Sequence, residues 1–175
     1  MKHYHFATQL RALWEKACRH YSQGRRGAET YFTTEETAFL AANGLTPQHL
    51  YDYAEDFTGG GEPTWETALA IELVRRDYFL NAQGGRPSTK VLDEAKMPSK
   101  TDAIHGIEWL PRIIPKARAK LQGELPPTLM YCCGGDRRFF QTHDIHPAEF
   151  LTLVWRNQHN DAAIADWVVR RSAAK

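Results

Sequence analysis

Residues 64–83, TWETALAIELVRRDYFLNAQ, decide the fold. On a helical wheel Trp65, Ala68, Leu69, Leu73 and Leu80 share one side, while Ile71, Val74 and Tyr78 share another. A helix apolar over more than half its circumference belongs in a core. It is expected to open at Pro63, where a fixed φ suits the start of a helix, and to stop at Gly84-Gly85. This is the expected central helix.

Working outward toward the N-terminus, Phe6, Leu10, Leu13, Trp14 and Ala17 recur at three- and four-residue steps and predict a helix of about four turns that stops near Gly24. The run Thr33-Thr34-Glu35-Glu36 places a hydroxyl three residues before a carboxylate, a pairing that satisfies the first free amides of a helix; Asn43-Gly44 ends it. Thr46-Pro47 starts the next helix, whose apolar stripe is Leu50, Tyr53, Ala54 and Phe57, before Gly59-Gly60-Gly61. Working toward the C-terminus, residues 86–100 carry prolines and charges without periodicity and read as a loop. Three helices follow, in GIEWLPRIIPKARAKLQ, PAEFLTLVWRN and DAAIADWVVRR. LPPTLMYCC is at most a short extended piece, no convincing strand pattern appears, and no internal repeat is legible.

The expected fold is therefore all-α: a compact bundle of about seven helices, arranged as helical hairpins around the long central helix. A chain of 175 residues is expected to form a single domain, helical at its N-terminal end over residues 1–85 and again over residues 101–175, with the loop 86–100 between. Such a chain buries roughly 70% of the surface its unfolded form exposes.

Composition narrows the function classes. No apolar run is long enough to span a bilayer and the N-terminus is too polar for a signal peptide, so no membrane association and a cytoplasmic location are expected. Cys18, Cys132 and Cys133 are odd in number, and adjacent cysteines rarely bridge, so reduced thiols are expected. The net charge of +1 hides an asymmetry: residues 30–71 contain no Lys or Arg, whereas residues 1–29 hold six basic and two acidic side chains. Oppositely charged helices packed in a monomer or a homodimer account for this most simply. Dispersed basic residues without an aromatic-rich basic strand argue against nucleic acid.

The helix around residues 110–121 has Leu110, Ile114, Ala117 and Leu121 on its core face and Arg112, Lys116 and Lys120 opposite, where they read as a solvated stripe. Arg118 borders the apolar face and can turn inward, with Asp136 the natural partner. Pro115 is a candidate kink, which would bring Arg112 to the side of Arg118. The stretch 130–140, MYCCGGDRRFF, is a dense polar gap. Gly134-Gly135 permits a positive-φ turn whose amides face an anion, with Arg137 and Arg138 beside it. Phe139 and Phe140 read as core anchors. Cys133 is a candidate nucleophile with Asp136 and with His143 or His146 as base. A zinc site from Cys132, Cys133, His143 and His146 has suitable ligand types but not the Cys-x-x-Cys spacing, so no metal is expected. His146-Pro147-Ala148-Glu149 reads as a helix start.

LPRIIPKARAKLQGE, CCGGDRRFF and HPAEFLTLVW together resemble a bacterial family known only as domain of unknown function 5069. The resemblance covers residues 100–172 and rests on Leu110, Pro111, Arg112, Lys116, Ala117, Arg118, Ala119, Gly123, Cys133, Asp136, Glu149 and Phe150. Pro115 departs from the family pattern. The resemblance implies kinship and no chemistry.

Two functional expectations follow. The first is a small anionic molecule bound or transformed at the Cys133–Arg137 turn, with Arg112, Arg118, Gly134, Gly135 and Arg137 as binding residues and Cys133, Asp136 and His143 as the catalytic candidates. The second is a non-catalytic helical module that binds another protein or a second copy. No cofactor is expected, and the sequence leaves open whether the protein is an enzyme.

Overall fold

The computed structural model describes residues 3–174. The fold is all-α, with eight α-helices and one two-stranded hairpin among the described residues. None of these helices is long and apolar enough to cross a membrane. The chain divides into two compact units, Met1–Arg86 and Pro87–Lys175.

In the first unit α1 (Phe6–Ser22) packs chiefly along α3 (Pro47–Gly60). Phe6, Leu10, Leu13, Trp14 and Ala17 are all buried, as their spacing predicts. Trp14 joins Phe57 and Trp65, with ring centroids 4.8 and 5.9 Å away. Between them α2 (Thr34–Ala42) opens on the expected capping box: the Glu36 amide donates to Thr33 Oγ1, and the Thr33 amide donates to the Glu36 carboxylate. Gly44 reverses the chain after α2 at φ 75°, and a Cβ there would lie 2.5 Å from the Phe79 ring, so both conformation and space require glycine.

The apolar stretch around residues 64–83 forms α4 (Trp65–Asp77), capped by Thr64 and continued by a π-helical turn, Tyr78–Ala82. Its buried arc differs from the expected one. Leu73 is 45% exposed, whereas Glu72 and Arg75 are buried beside Ala68 and Ile71. Tyr53 Oη donates to Glu72 at 2.8 Å, and Arg75 donates to Gln83 at 2.9 Å and lies over the Phe79 ring. Polar partners reached from this arc make it the better one to bury. Burial pushes the Arg75 guanidinium down to about 10, opposed by Glu72 and Tyr78, so it stays charged at neutral pH.

The second unit begins with largely irregular chain, interrupted by a short 3-10 turn, Glu94–Lys96. A hairpin follows: β1 (Ala103–Ile104) pairs antiparallel with β2 (Ile107–Glu108) across His105 (φ 51°) and Gly106 (φ 76°). Two positive-φ residues give the tight turn that matches strand twist. Then come α5 (Leu110–Gln122), α6 (Gly134–Thr142), α7 (Pro147–Arg156) and α8 (Asp161–Ala173). The α5–α7 pair carries the core, with Ile113, Ile114, Phe150 and Val154 at 0–1% exposure. Each such side chain contributes about 1.5–3 kcal/mol. The expected cap at His146 is present, with the Ala148 amide donating to its ring and Glu149 closing the box. The eighth helix, absent from the expected seven, is α6, formed by the polar gap itself.

The two units repeat one plan, contrary to the expectation of no internal repeat. Helices α2 and α6 have the same bounds one hundred positions apart, and α3 and α7 begin at Pro47 and Pro147. The reversals between them match: Gly44 and Asp144 have φ 75° and 53°, and the Leu45 and Ile145 amides each donate 2.9 Å to the carbonyls of Leu40 and Phe140. Helix α3 has 14 residues and α7 has 10, so the N-caps of α4 and α8, Thr64 and Asn160, stand ninety-six positions apart. Leu10/Leu110, Lys16/Lys116, Ala17/Ala117, Tyr31/Tyr131, Phe39/Phe139 and Pro47/Pro147 are identical pairs in this register, too sparse to catch the eye in the sequence.

Candidate functional site

The site is assembled around the first turns of α5 and α6. Trp109 follows the hairpin at φ 70°, in the left-handed region, and its carbonyl accepts the amides of Arg112 (3.1 Å) and Ile113 (2.9 Å) to start α5. A bulky residue there costs on the order of 1–2 kcal/mol, so surrounding contacts must hold it. They are visible: indole Nε1 donates to Asp136 Oδ1 at 3.0 Å. The ring also occupies the place of a side chain on Gly135, where a Cβ would meet it at 2.5 Å.

Asp136 is fully buried and accepts three donors: the Trp109 indole, the Cys132 amide at 2.8 Å and Lys116 Nζ at 2.7 Å. As a carboxylate in the first turn of α6 it also faces the positive end of that helix. Lys116 is 1% exposed and donates as well to Cys133 Sγ at 3.2 Å. The expected solvated stripe on α5 is therefore corrected: Lys116 and Lys120 are both buried, and Arg112, half-buried, donates to the Pro98 carbonyl at 2.8 Å. A helix flanked on nearly every side has no solvated stripe to offer. Pro115 lies inside α5, which runs from Leu110 to Gln122.

The expected pairing of Arg118 with Asp136 is also overturned. Arg118 donates to Asp161, at the start of α8, and the partner of Asp136 is Lys116. Gly134 and Gly135 form no positive-φ nest, since they are the first residues of α6 with Cys133 as its N-cap; the positive φ of 71° falls on Cys132. Arg137 turns back to donate to the Cys132 carbonyl at 2.8 Å. His143 closes the other end of α6, roughly 15 Å along the axis from Cys133 at 1.5 Å per residue. Its ring packs on Phe139 at 4.7 Å and Nδ1 lies 2.7 Å from Ser172 Oγ, so it does not form a thiol–imidazole pair with Cys133. The Cys132 thiol is pushed up to about 12, chiefly by burial and further by Asp136, and is no nucleophile. Phe139 and Phe140 are buried anchors, as expected. Among the described residues no three His, Cys, Asp or Glu side chains gather in a way that could hold a metal ion.

Beside this polar knot runs an open groove of about 530 Å³, lined among others by Lys100, Glu108, Trp109, Gly135, Arg138 and His143. Sequence reasoning placed Arg138 beside a candidate anion turn, and found Gly135 and His143 but assigned them other roles. It missed Lys116 because a lysine opposite an apolar stripe looks solvated. It missed Trp109 because nothing in the sequence reveals a left-handed tryptophan.

No curated protein and no solved structure matches the chain. Residues 94–175, which contain every side chain of this site, match the family model described as Domain of unknown function (DUF5069).

Proposed function

We propose that the second unit binds a small anion carrying a flat apolar part in the groove beside α6. Lys100, Arg138 and the His143 imidazole supply the polar contacts, and the Trp109 indole supplies a flat wall. The observation that carries the reading is Trp109 itself. An aromatic residue is held in a costly backbone conformation, pinned by Asp136 and given room by Gly135, with its ring on the groove wall. Two basic side chains, Lys100 and Arg138, against one carboxylate, Glu108, favour an anion. The Lys116–Asp136 pair lies behind the wall and acts as its support. Cys133 is not among the groove's lining residues, so the reading is one of binding and not of covalent catalysis.

The test is a titration with phenyl phosphate and benzoate, read at the Trp109 indole N–H by NMR after assignment with a Trp109→Phe variant. The indole resonance is expected to move on binding, and Arg138→Ala is expected to weaken affinity about tenfold, the worth of one partly exposed charge-assisted hydrogen bond. An unmoved indole, or equal affinity in Arg138→Ala, refutes the proposal.

A further inference from the structure

The first unit has a groove of its own, about 590 Å³, at the matching place. It is lined by Gln9, Phe39, Ala42 and Asn43, and the groove of the second unit by Trp109, Phe139, Thr142 and His143, the same four positions one hundred residues on. The contact that closes the helix end beside the groove recurs with both partners changed. In the second unit His143 meets Ser172; in the first, Arg76 Nε donates to Asn43 Oδ1 at 2.6 Å, and Arg76 and Ser172 hold corresponding places in α4 and α8. Recurrence of the lining positions, with substitution of the side chains that give them chemistry, is what a duplicated site of altered selectivity looks like.

We propose that this groove is a second anion site, and that it takes a compact anion of the phosphate class. The proposal rests on the reading of the second groove only for the general choice of an anion; the chemistry comes from the first groove's own residues. Arg76 is held by Asn43, by His3 Nδ1 at 2.7 Å and by the Phe6 ring at 4.6 Å, so its planar fork is oriented before a ligand arrives. His3 and His5 add donors, and no carboxylate occurs among the described lining residues. Gln9 stands where the second unit has Trp109, so an amide takes the place of the indole beside an otherwise apolar lining that includes Phe39 and Leu80.

The experiment is an NMR titration of the full chain with inorganic phosphate and, separately, phenyl phosphate, on the wild type and three variants. Ala42→Glu and Gln9→Glu each put a carboxylate at an exposed lining position of the first groove; Thr142→Glu does so in the second. Inorganic phosphate is expected to shift the amides of Asn43 and Gly44, with affinity at least tenfold weaker in both Ala42→Glu and Gln9→Glu and unchanged in Thr142→Glu. Absence of that shift, or a shift indifferent to both first-groove variants, overturns the proposal. If phenyl phosphate still moves the Trp109 indole in a Thr142-dependent way, the second-groove reading survives that failure. The reverse pattern, a phosphate response in the first groove and none at Trp109, sinks the second-groove reading alone, and silence at both sinks both.

Discussion

The repeat places the same ion pair in two different environments and so provides its own control. Lys16 Nζ meets Glu36 at 2.6 Å in the first unit, and Lys116 Nζ meets Asp136 at 2.7 Å in the second, in the same register. The first pair is 26% and 28% exposed, the second 2% and 0%. A pair in contact with water is worth about 0–1 kcal/mol, because solvent takes over each charge when the other is removed. A buried pair broken on one side strands a charge, at about 3–5 kcal/mol. Methionine preserves most of the lysine volume, so Lys116→Met isolates the charge from the packing. Asp136 then keeps only the indole and the Cys132 amide. The assay is urea-dependent pulse alkylation resolved by mass spectrometry, with the half-buried Cys18 reporting the first unit and the buried Cys132 the second. Burial, the leading cause in both, pushes Cys18 up to about 11 and Cys132 up to about 12, so both are slow until their surroundings open. With a urea slope of about 1.5 kcal/mol/M, Lys116→Met should lower the Cys132 midpoint by roughly 2–3 M. Lys16→Met should move the Cys18 midpoint by less than about 0.7 M. A Cys132 shift as small as that expected for Cys18 would refute the claim that Lys116 is a buried structural charge.

Three further outcomes follow from the same geometry. Gly135→Ala should cost about 1–3 kcal/mol and displace the Trp109 indole, whereas Gly134→Ala, which meets only Arg137 Nη2 at 3.7 Å, should stabilise α6 by about 0.5–1 kcal/mol; thermal melts compare the two. Under brief native-state alkylation Cys133, half-buried, should label before Cys132, which is fully buried; labelling of Cys132 first would contradict the packing around Asp136. At the start of α2, burial alone would raise the Glu36 carboxyl, but its bonds to Lys16 and the Thr33 amide outweigh it and hold it below its ordinary value. A lowered folded pKa gives stability that is present above the unfolded value and lost as pH falls through the folded one. Acid titration below about pH 4.5 should therefore loosen α2, and Thr33→Ala should remove about 1 kcal/mol at neutral pH.

Most of the first unit was legible because apolar spacing and caps agree there. The α1 stripe, the Thr33 box and the Pro47 start each meet their expected place. Where spacing and polar partners disagreed, spacing misled: Leu73 points outward and Arg75 inward because Glu72, Tyr53 and Gln83 offer that arc hydrogen bonds no wheel can display. Helix α6 was invisible for a related reason. Two glycines are poor helix formers, worth about 1 kcal/mol each against alanine. The helix forms because Asp136 takes the Cys132 amide and faces the helix N-terminus, while Phe139 and Phe140 anchor its far side. These are tertiary gains, absent from a local reading.

The repeat explains why the polar gap has its composition. In the first unit the corresponding residues, Thr33-Thr34-Glu35-Glu36, cap α2 with their own side chains, a local device readable from the sequence. In the second unit Cys133-Gly134-Gly135-Asp136 occupies those positions, and the carboxylate at the third helical residue is aimed inward, at Lys116 and Trp109. Where the first unit has the glutamate of the box, the second has a buried aspartate one methylene shorter, preceded by a glycine that lets the indole close in. What is a surface cap in the first unit is the support of a tryptophan in the second. A structural helix start does not require that arrangement, since the first unit manages without it; the arrangement accompanies the indole of the second groove, where the first has Gln9. That correspondence ties the buried Lys116–Asp136 pair to the groove wall, so on the proposed anion-binding reading ligand selectivity turns on Trp109 and not on the thiols or arginines that dominate the sequence.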